Sequence, residues 1–336
     1  MTRLIGHDSQ VDAFLEAMAS GKLHHAWLLV GPQGVGKAAF AEAAALRLLA
    51  EAAGPPPMER GLAVSSEHRI AHFFLAGSHP DFRRLERLPR DPKLRELPRS
   101  EWRDDVERAR NITIAQVRGL QGLFVTTPSL SPRRVVLIDA ADDLERSAAN
   151  ALLKNLEEPP ADTVFLLVSH APGRLLPTIR SRCRVLRFAR LGHAAMTSFL
   201  HYHLPELDDA EVEALVSAGD GSPGRALGFA GLDLATLDAG IAAIIADGDP
   251  GNGRRAALAR ALSLKAAQRR YEAFLERVPA AIAAEAQRRS GMALGVALDQ
   301  WDRARRLAGS AVHLSLDPQS VVVELGSMLA ALAPAR

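Results

Sequence analysis

Apolar residues recur along this chain in two registers. In residues 8–20, DSQVDAFLEAMAS, Val11, Phe14, Leu15 and Met18 fall at helical spacing, with Asp8 or Ser9 able to cap. The pattern then tightens into an unbroken run, HAWLLVG (25–31), as expected of a strand buried on both faces. KAAFAEAAALRLLAEAA returns to strong helix formers and stops at Gly54-Pro55-Pro56-Pro57. Further on, Val135-Val136-Leu137-Ile138 predicts a second buried strand that delivers Asp139 at its end. TVFLLVSH (163–170) predicts a third, and TIRSRCRVLRF leads from a short helix into a fourth. NITIAQVRGLQGLF and SAANALLKNLEEPP read as helices around them. Strands alternating with helices predict a parallel sheet covered on both faces.

After about residue 190 the strand pattern ends. HAAMTSFLHYHL, DDAEVEALVSAG and SPGRALGFAG predict three short helices, and from 236 onward the chain is alanine-rich and helical. In the last helix Asp317 can cap, Pro318 sits in the first turn, and Val321, Val322, Leu325, Met328, Leu329 and Leu332 form an apolar stripe. Three domains are therefore expected: 1–190, 191–235 and 236–336. Residues 54–110 break the rhythm, with prolines and dense charge of both signs, and 83–110 are expected to form a mobile surface excursion. A solvated linker is the plainer reading of that stretch, and a DNA-facing segment the sharper one.

Composition narrows the function classes only a little. Of 336 residues 48% are hydrophobic and 24% charged, enough apolar material for real cores, and a formal net charge of +2 is too slight to argue for nucleic acid. The single cysteine, Cys183, excludes a disulfide framework within the chain and a zinc site built on several thiolates. No basic-then-apolar leader opens the sequence and no run of about 20 apolar residues occurs, so a cytoplasmic protein without a membrane partner is expected.

The chemistry concentrates in Gly31-Pro32-Gln33-Gly34-Val35-Gly36-Lys37, which meets G-x-x-x-x-G-K between a strand and a helix. Its glycines let backbone N–H groups turn inward around phosphate oxygens, and Lys37 would neutralise charge on the outer phosphates. Ala38, however, stands where a hydroxyl would ligate Mg²⁺, and Ala140 follows Asp139 where a glutamate would activate water. Asp139 itself is placed to act on Mg²⁺ from the strand end. Two losses on one reaction path argue against hydrolysis. Two readings of the loop stand: it holds ATP or ADP weakly, or it is kept for structure alone.

Arg180, Arg182, Arg184 and Arg187 form one run, either a solvated basic edge or an arginine offered to a neighbour's γ-phosphate. Cys183 alone reads as a small buried hydrophobe. His24-His25, and the His201 and His203 pair, lack the four convergent ligands that zinc wants.

HAWLLVGPQGVGK, GSHPDF (77–82), ANALLKNLEEPP (149–160), LLPTIRSRCRVLRF (175–188) and GDGSPGRAL (219–227) together resemble the clamp-loader branch of the AAA+ proteins, closely over residues 4–230 and loosely in the tail. The resemblance implies an α/β P-loop AAA+ domain, a helical lid and an all-α C-terminal collar. It implies a five-subunit ring, with gamma/tau-type ATPase subunits and a delta subunit as partners, that places the sliding clamp on primed DNA. Some members keep the fold without hydrolysis and lend the arginine of a Ser-Arg-Cys triplet to an adjoining ATPase site. Ser181-Arg182-Cys183, Ala38 and Ala140 match that role, and Ser169 falls near a nucleotide-sensing position. The expectation is thus a non-hydrolysing stator that supplies Arg182, requires no cofactor and binds no zinc, with no ATPase or polymerase catalysis of its own. An active ATPase subunit of the same loader is the alternative. A stand-alone P-loop kinase or transport ATPase fits less well, since no further acceptor-site acids follow. Three departures stand out: AEAAGPPPMERGLAVSSEHRIAHFF (50–74) has none of the four cysteines of the zinc module in many relatives, the charged insert at 83–110 is longer than the resemblance implies, and Pro223-Gly224 separate Arg225 from the family's sensor pattern.

Overall fold

A computed structural model describes residues 4–21, 23–102 and 106–334. Residues 103–105 of the stretch expected to be mobile lie outside the described residues. The chain divides into two compact units, one of residues 1–195 with 221–224 and the other of 196–220 with 225–336.

The first unit carries, in order, α1 (Asp8–Ala19), β1 (Ala26–Val30), α2 (Lys37–Ala53), α3 (Arg69–Leu75), β2 (Phe82–Glu86), α4 (Pro92–Arg95), α5 (Ile114–Val125), β3 (Arg134–Asp139), α6 (Arg146–Glu157), β4 (Thr163–Ser169), α7 (Pro177–Arg180) and β5 (Arg184–Arg187). The strands pair in the order β2-β3-β4-β1-β5, every pair parallel. Because side chains alternate across a strand, each central strand feeds two cores. Trp27, Leu29, Val135, Leu137, Leu166 and Val168 pack with Phe14 of α1 and Phe40 of α2. Leu28, Val30, Val136, Ile138, Phe165 and Leu167 pack with Val117 and Leu120 of α5 and Leu152 and Leu156 of α6. Burying each such large side chain contributes roughly 1.5–3 kcal/mol, which is why these runs tolerate no polar interruption.

Four strands are expected from the sequence and five are present among the described residues. The fifth, β2, occupies the start of the stretch read as a charged excursion, so residues 83–86 belong to the sheet edge. Its sequence, FRRLE, hides the strand because an edge strand accepts charge as long as the charges are paired. Here Glu86 binds Arg84, Arg99 and Arg108, fastening the following segment to the sheet. The cysteine-free stretch after α2 is a loop that leads into α3 and is tied to α2: Arg47 donates to the carbonyls of Glu59 (3.1 Å) and Ala63 (3.2 Å), while Leu62 and Val64 are buried.

The second unit is all helix: α8 (His193–His203, in this unit from Met196), α9 (Asp209–Gly219), α10 (Pro223–Phe229, from Arg225), α11 (Leu234–Asp247), α12 (Gly253–Leu262), α13 (Gln268–Ala286), α14 (Gly291–Ala311) and α15 (Pro318–Ala330). Asp317 caps α15 by accepting the N–H of Ser320 at 2.8 Å. The whole stripe from Val321 to Leu332 is buried inside this unit, mainly where α15 packs on α11, α12 and α14.

The GSHPDF motif acquires a physical reason. Asp81, 2% exposed, accepts the backbone N–H groups of Ser129 (2.9 Å), Leu130 (2.8 Å) and Ser131 (3.0 Å), fixing the loop that feeds β3 beside the start of β2. Asp81→Ala strands three donors at once and is expected to cost about 2–3 kcal/mol. Urea unfolding followed by circular dichroism measures this; a loss below about 0.5 kcal/mol would mean that water replaces the carboxylate.

Candidate functional site

The phosphate loop joins β1 to α2 at the carboxyl ends of the strands, the usual position for ligand chemistry in an open parallel sheet. Gly31 is required by space: a Cβ there would fall 2.2 Å from the carbonyl oxygen of Phe188. Gly34 and Gly36 have φ of +77° and +105°, left-handed conformations that turn the loop and start α2. The backbone N–H groups of residues 33 to 36 donate to no group among the described residues. A ring of unpaired N–H groups at a helix N-terminus fits a phosphate.

Lys37 is 2% exposed, and its Nζ donates to the carbonyls of Gly31 (2.6 Å) and Pro32. Burial pushes its pKa down to about 8, although Asp139 and Asp142 pull the other way. Beneath the loop, His7 Nε2 lies 2.6 Å from the carbonyl oxygen of Val35, and the ring meets Phe188 edge-on. Since a carbonyl only accepts, Nε2 carries the hydrogen; burial also lowers the His7 pKa and keeps the ring neutral.

Residues 221–224 close over the same loop. The N–H of Gly224 donates to the carbonyl of Gly34 at 2.9 Å, and Ser222 Oγ donates to the carbonyl of Gln33 at 3.0 Å. A Cβ on Gly224 would sit 3.1 Å from Gly34 Cα. The next residue, Arg225, belongs to the second unit and pairs with Glu276 at 2.5 Å.

The acid side does not fit a metal in the usual way. Asp139 sits at the end of β3, as expected, but Arg84 Nη2 lies 2.5 Å from its Oδ2. The same guanidinium contacts Glu42 of α2 and lies 3.1 Å from Glu86. With Ala38 offering no oxygen, the positive charge beside Asp139 comes from an arginine, and Mg²⁺ has neither of its ordinary protein contacts free. Ser169 is fully buried and donates to Asp142 Oδ1 at 2.8 Å, while the other Asp142 oxygen accepts the N–H groups of His170 and Ala171. Its hydroxyl is thus committed to fixing the end of β4. Arg84, His7 and Asp142 have no linear motif that reveals their roles. Arg84 was hidden by the charged stretch, although alternation of Phe82, Arg84 and Glu86 on one face is a signal.

The Ser-Arg-Cys triplet lies between α7 and β5. Arg182 Nη1 donates to the carbonyl of Thr178 (3.0 Å) and to Ser181 Oγ (3.4 Å), and Nη2 lies 2.8 Å from Glu157 Oε1. Among the described residues it is the one arginine of its run in an ion pair. Arg184 lies over the Trp27 ring instead. Burial pushes the Cys183 thiol up to about 12, so it stays protonated and acts as a hydrophobe.

A family model described as DNA polymerase III, delta subunit, matches residues 6–192. DNA polymerase III subunit delta′ of Pseudomonas aeruginosa is 41% identical over 199 residues, covering 59% of this chain and 53% of the relative. The delta′ subunit of Escherichia coli K12 is 32% identical over 210 residues, covering 62% and 55%. DNA polymerase III subunit gamma of Buchnera aphidicola (subsp. Schizaphis graminum) is 28% identical over 231 residues, covering 67% and 56%. The chain therefore spans little more than half the length of these relatives. Among solved structures, a gamma subunit-related protein of Thermotoga maritima aligns over 95% of this chain and 98% of its own, at 14% identity and a TM-score of 0.41.

Two measurements follow from the loop geometry. In calorimetric titration, the Kd of whatever ADP binding occurs is expected to change less than about twofold when Mg²⁺ is removed. A strong metal requirement would mean that Asp139 is released from Arg84. The second concerns pH. Lys37 is charged below about 8 and neutral above, so affinity should fall as pH rises from 7 to 9. Lys37→Ala should bind more weakly and lose that slope; an unchanged slope would assign the titration to another group.

Proposed function

The chain belongs to the family of the DNA polymerase III delta subunit, with delta′ subunits among its relatives, and from that premise we propose that it works as a non-hydrolysing member of the clamp loader. In this reading it completes an assembly with gamma/tau-type ATPase subunits and a delta subunit. The assembly opens the sliding clamp and sets it on primed DNA in the cytoplasm. Its own contribution is Arg182, offered to the γ-phosphate site of an adjoining ATPase subunit.

The observation that carries the reading is a division of labour within the first unit. The loop retains unpaired N–H groups and Lys37, while its acid partner Asp139 is occupied by Arg84 and the hydroxyl and water-activating positions are Ala38 and Ala140. On the surface, by contrast, Arg182 is half-exposed and its guanidinium is already held in place by protein groups. A planar cation of that kind can meet charge that develops on a transferring phosphoryl group, and its fork matches two oxygens at once. ATP or ADP, if held by Gly31, Gly34, Gly36 and Lys37, stays unhydrolysed and is not required.

Reconstitution tests this. Complexes built with Arg182→Ala should assemble with unchanged stoichiometry, while turnover at the ATPase site that Arg182 serves falls on the order of 10³-fold. Arg182→Lys should recover little, because it keeps charge without the fork. The isolated protein should release no phosphate above background. Loader turnover unaffected by Arg182→Ala would reduce the residue to a surface cation, and phosphate release by the isolated chain that Lys37→Ala abolishes would make it an ATPase.

A further inference from the structure

Glu157 is the last residue of α6, stopped by Pro159-Pro160, and Glu158 follows it. Carboxylates are disfavoured there, because the carbonyl end of a helix carries partial negative charge and prefers cations. The guanidinium of Arg182 answers the charge of Glu157. It reaches back from the turn after α7 and sets Nη2 2.8 Å from Glu157 Oε1, with the two side chains 47% and 35% exposed. Its Nη1 is fixed on the other side by the carbonyl of Thr178 and the hydroxyl of Ser181, and Ser181 Oγ in turn donates to the Thr178 carbonyl at 3.1 Å.

An arginine has five N–H donors. Nη1 donates to the Thr178 carbonyl and the Ser181 hydroxyl, Nη2 stands in the ion pair with Glu157, and Nε–H has no partner among the described residues. A long side chain that would otherwise sample many rotamers is thereby held at three points, with a donor left to give to an anion. We infer that Glu157 is a positioning residue for Arg182: it orients the guanidinium so that its unpaired Nε–H is presented before an adjoining phosphate arrives. The inference rests on the proposed role of Arg182. Geometry favours positioning over competition, because the pair leaves Nε–H open and does not cover the whole guanidinium.

The test uses reconstituted loaders whose remaining ATPase sites are silenced, so that turnover reports the site served by Arg182. Glu157→Ala should lower kcat about three- to fivefold with KM for ATP unchanged, the range a half-exposed ion pair can supply. Glu157→Gln, which keeps an oxygen of the same reach, should lose less. Both substitutions should be silent when combined with Arg182→Ala, since they act through that side chain. Melting temperature and assembly stoichiometry of each variant show whether it is folded and incorporated. A kcat that stays level or rises in Glu157→Ala, while Arg182→Ala is low, overturns the positioning role and leaves that of Arg182 standing. A loss that persists in the Arg182→Ala background also overturns it, because the carboxylate then acts elsewhere. Full turnover with Arg182→Ala alone removes the premise and the inference together.

Discussion

A single guanidinium, that of Arg84, governs how the first unit is put together. It stands 10% exposed among Glu42 of α2, Glu86 of its own strand and Asp139 at the end of β3. Without it Asp139 would lose its arginine at the strand end, and leaving a largely buried charge unpaired costs about 3–5 kcal/mol. With it, the edge strand is bound to the sheet and α2 is held to both. The segment beyond β2 is anchored as well, because Glu86 shares itself with Arg99 and Arg108. The arrangement has a chemical side. The residue that would serve a divalent cation is spent on internal cohesion.

How far the sequence speaks depends on whether a feature is written locally. The runs around Leu28, Val136 and Leu166 name their strands because burial on both faces allows nothing polar. Asp317 and Pro318 name the start of α15 for an equally local reason, since a cap is defined within one turn. Strand β2 escapes because its exposed-edge charges read like those of a solvated loop. Only their pairing with α2 and β3 distinguishes the two, and pairing is not local.

The candidate site divides along the same line. The glycines, Lys37 and the Ser-Arg-Cys triplet are legible because their spacing is short. The contacts that decide what they can do span the chain: Arg84 with Asp139, Ser169 with Asp142, Gly34 with Gly224 and Arg182 with Glu157. A sequence pattern identifies the tool; the tertiary partner says whether it is free. Ser169 illustrates this well, for a hydroxyl beside a phosphate loop suggests sensing, yet its hydrogen is given to a neighbouring carboxylate.

The clasp of Gly224 and Ser222 on the loop bears on how such a protein ages. A motif relieved of catalysis ordinarily drifts, since nothing tests it. Here the carbonyls of Gln33 and Gly34 are acceptors for another part of the fold, and a side chain at Gly31 or Gly224 would collide with backbone or press hard against it. The loop's outline is therefore under a mechanical audit that holds with or without chemistry at the site. Architecture alone requires the glycines, and the pattern by itself is no witness to ATP.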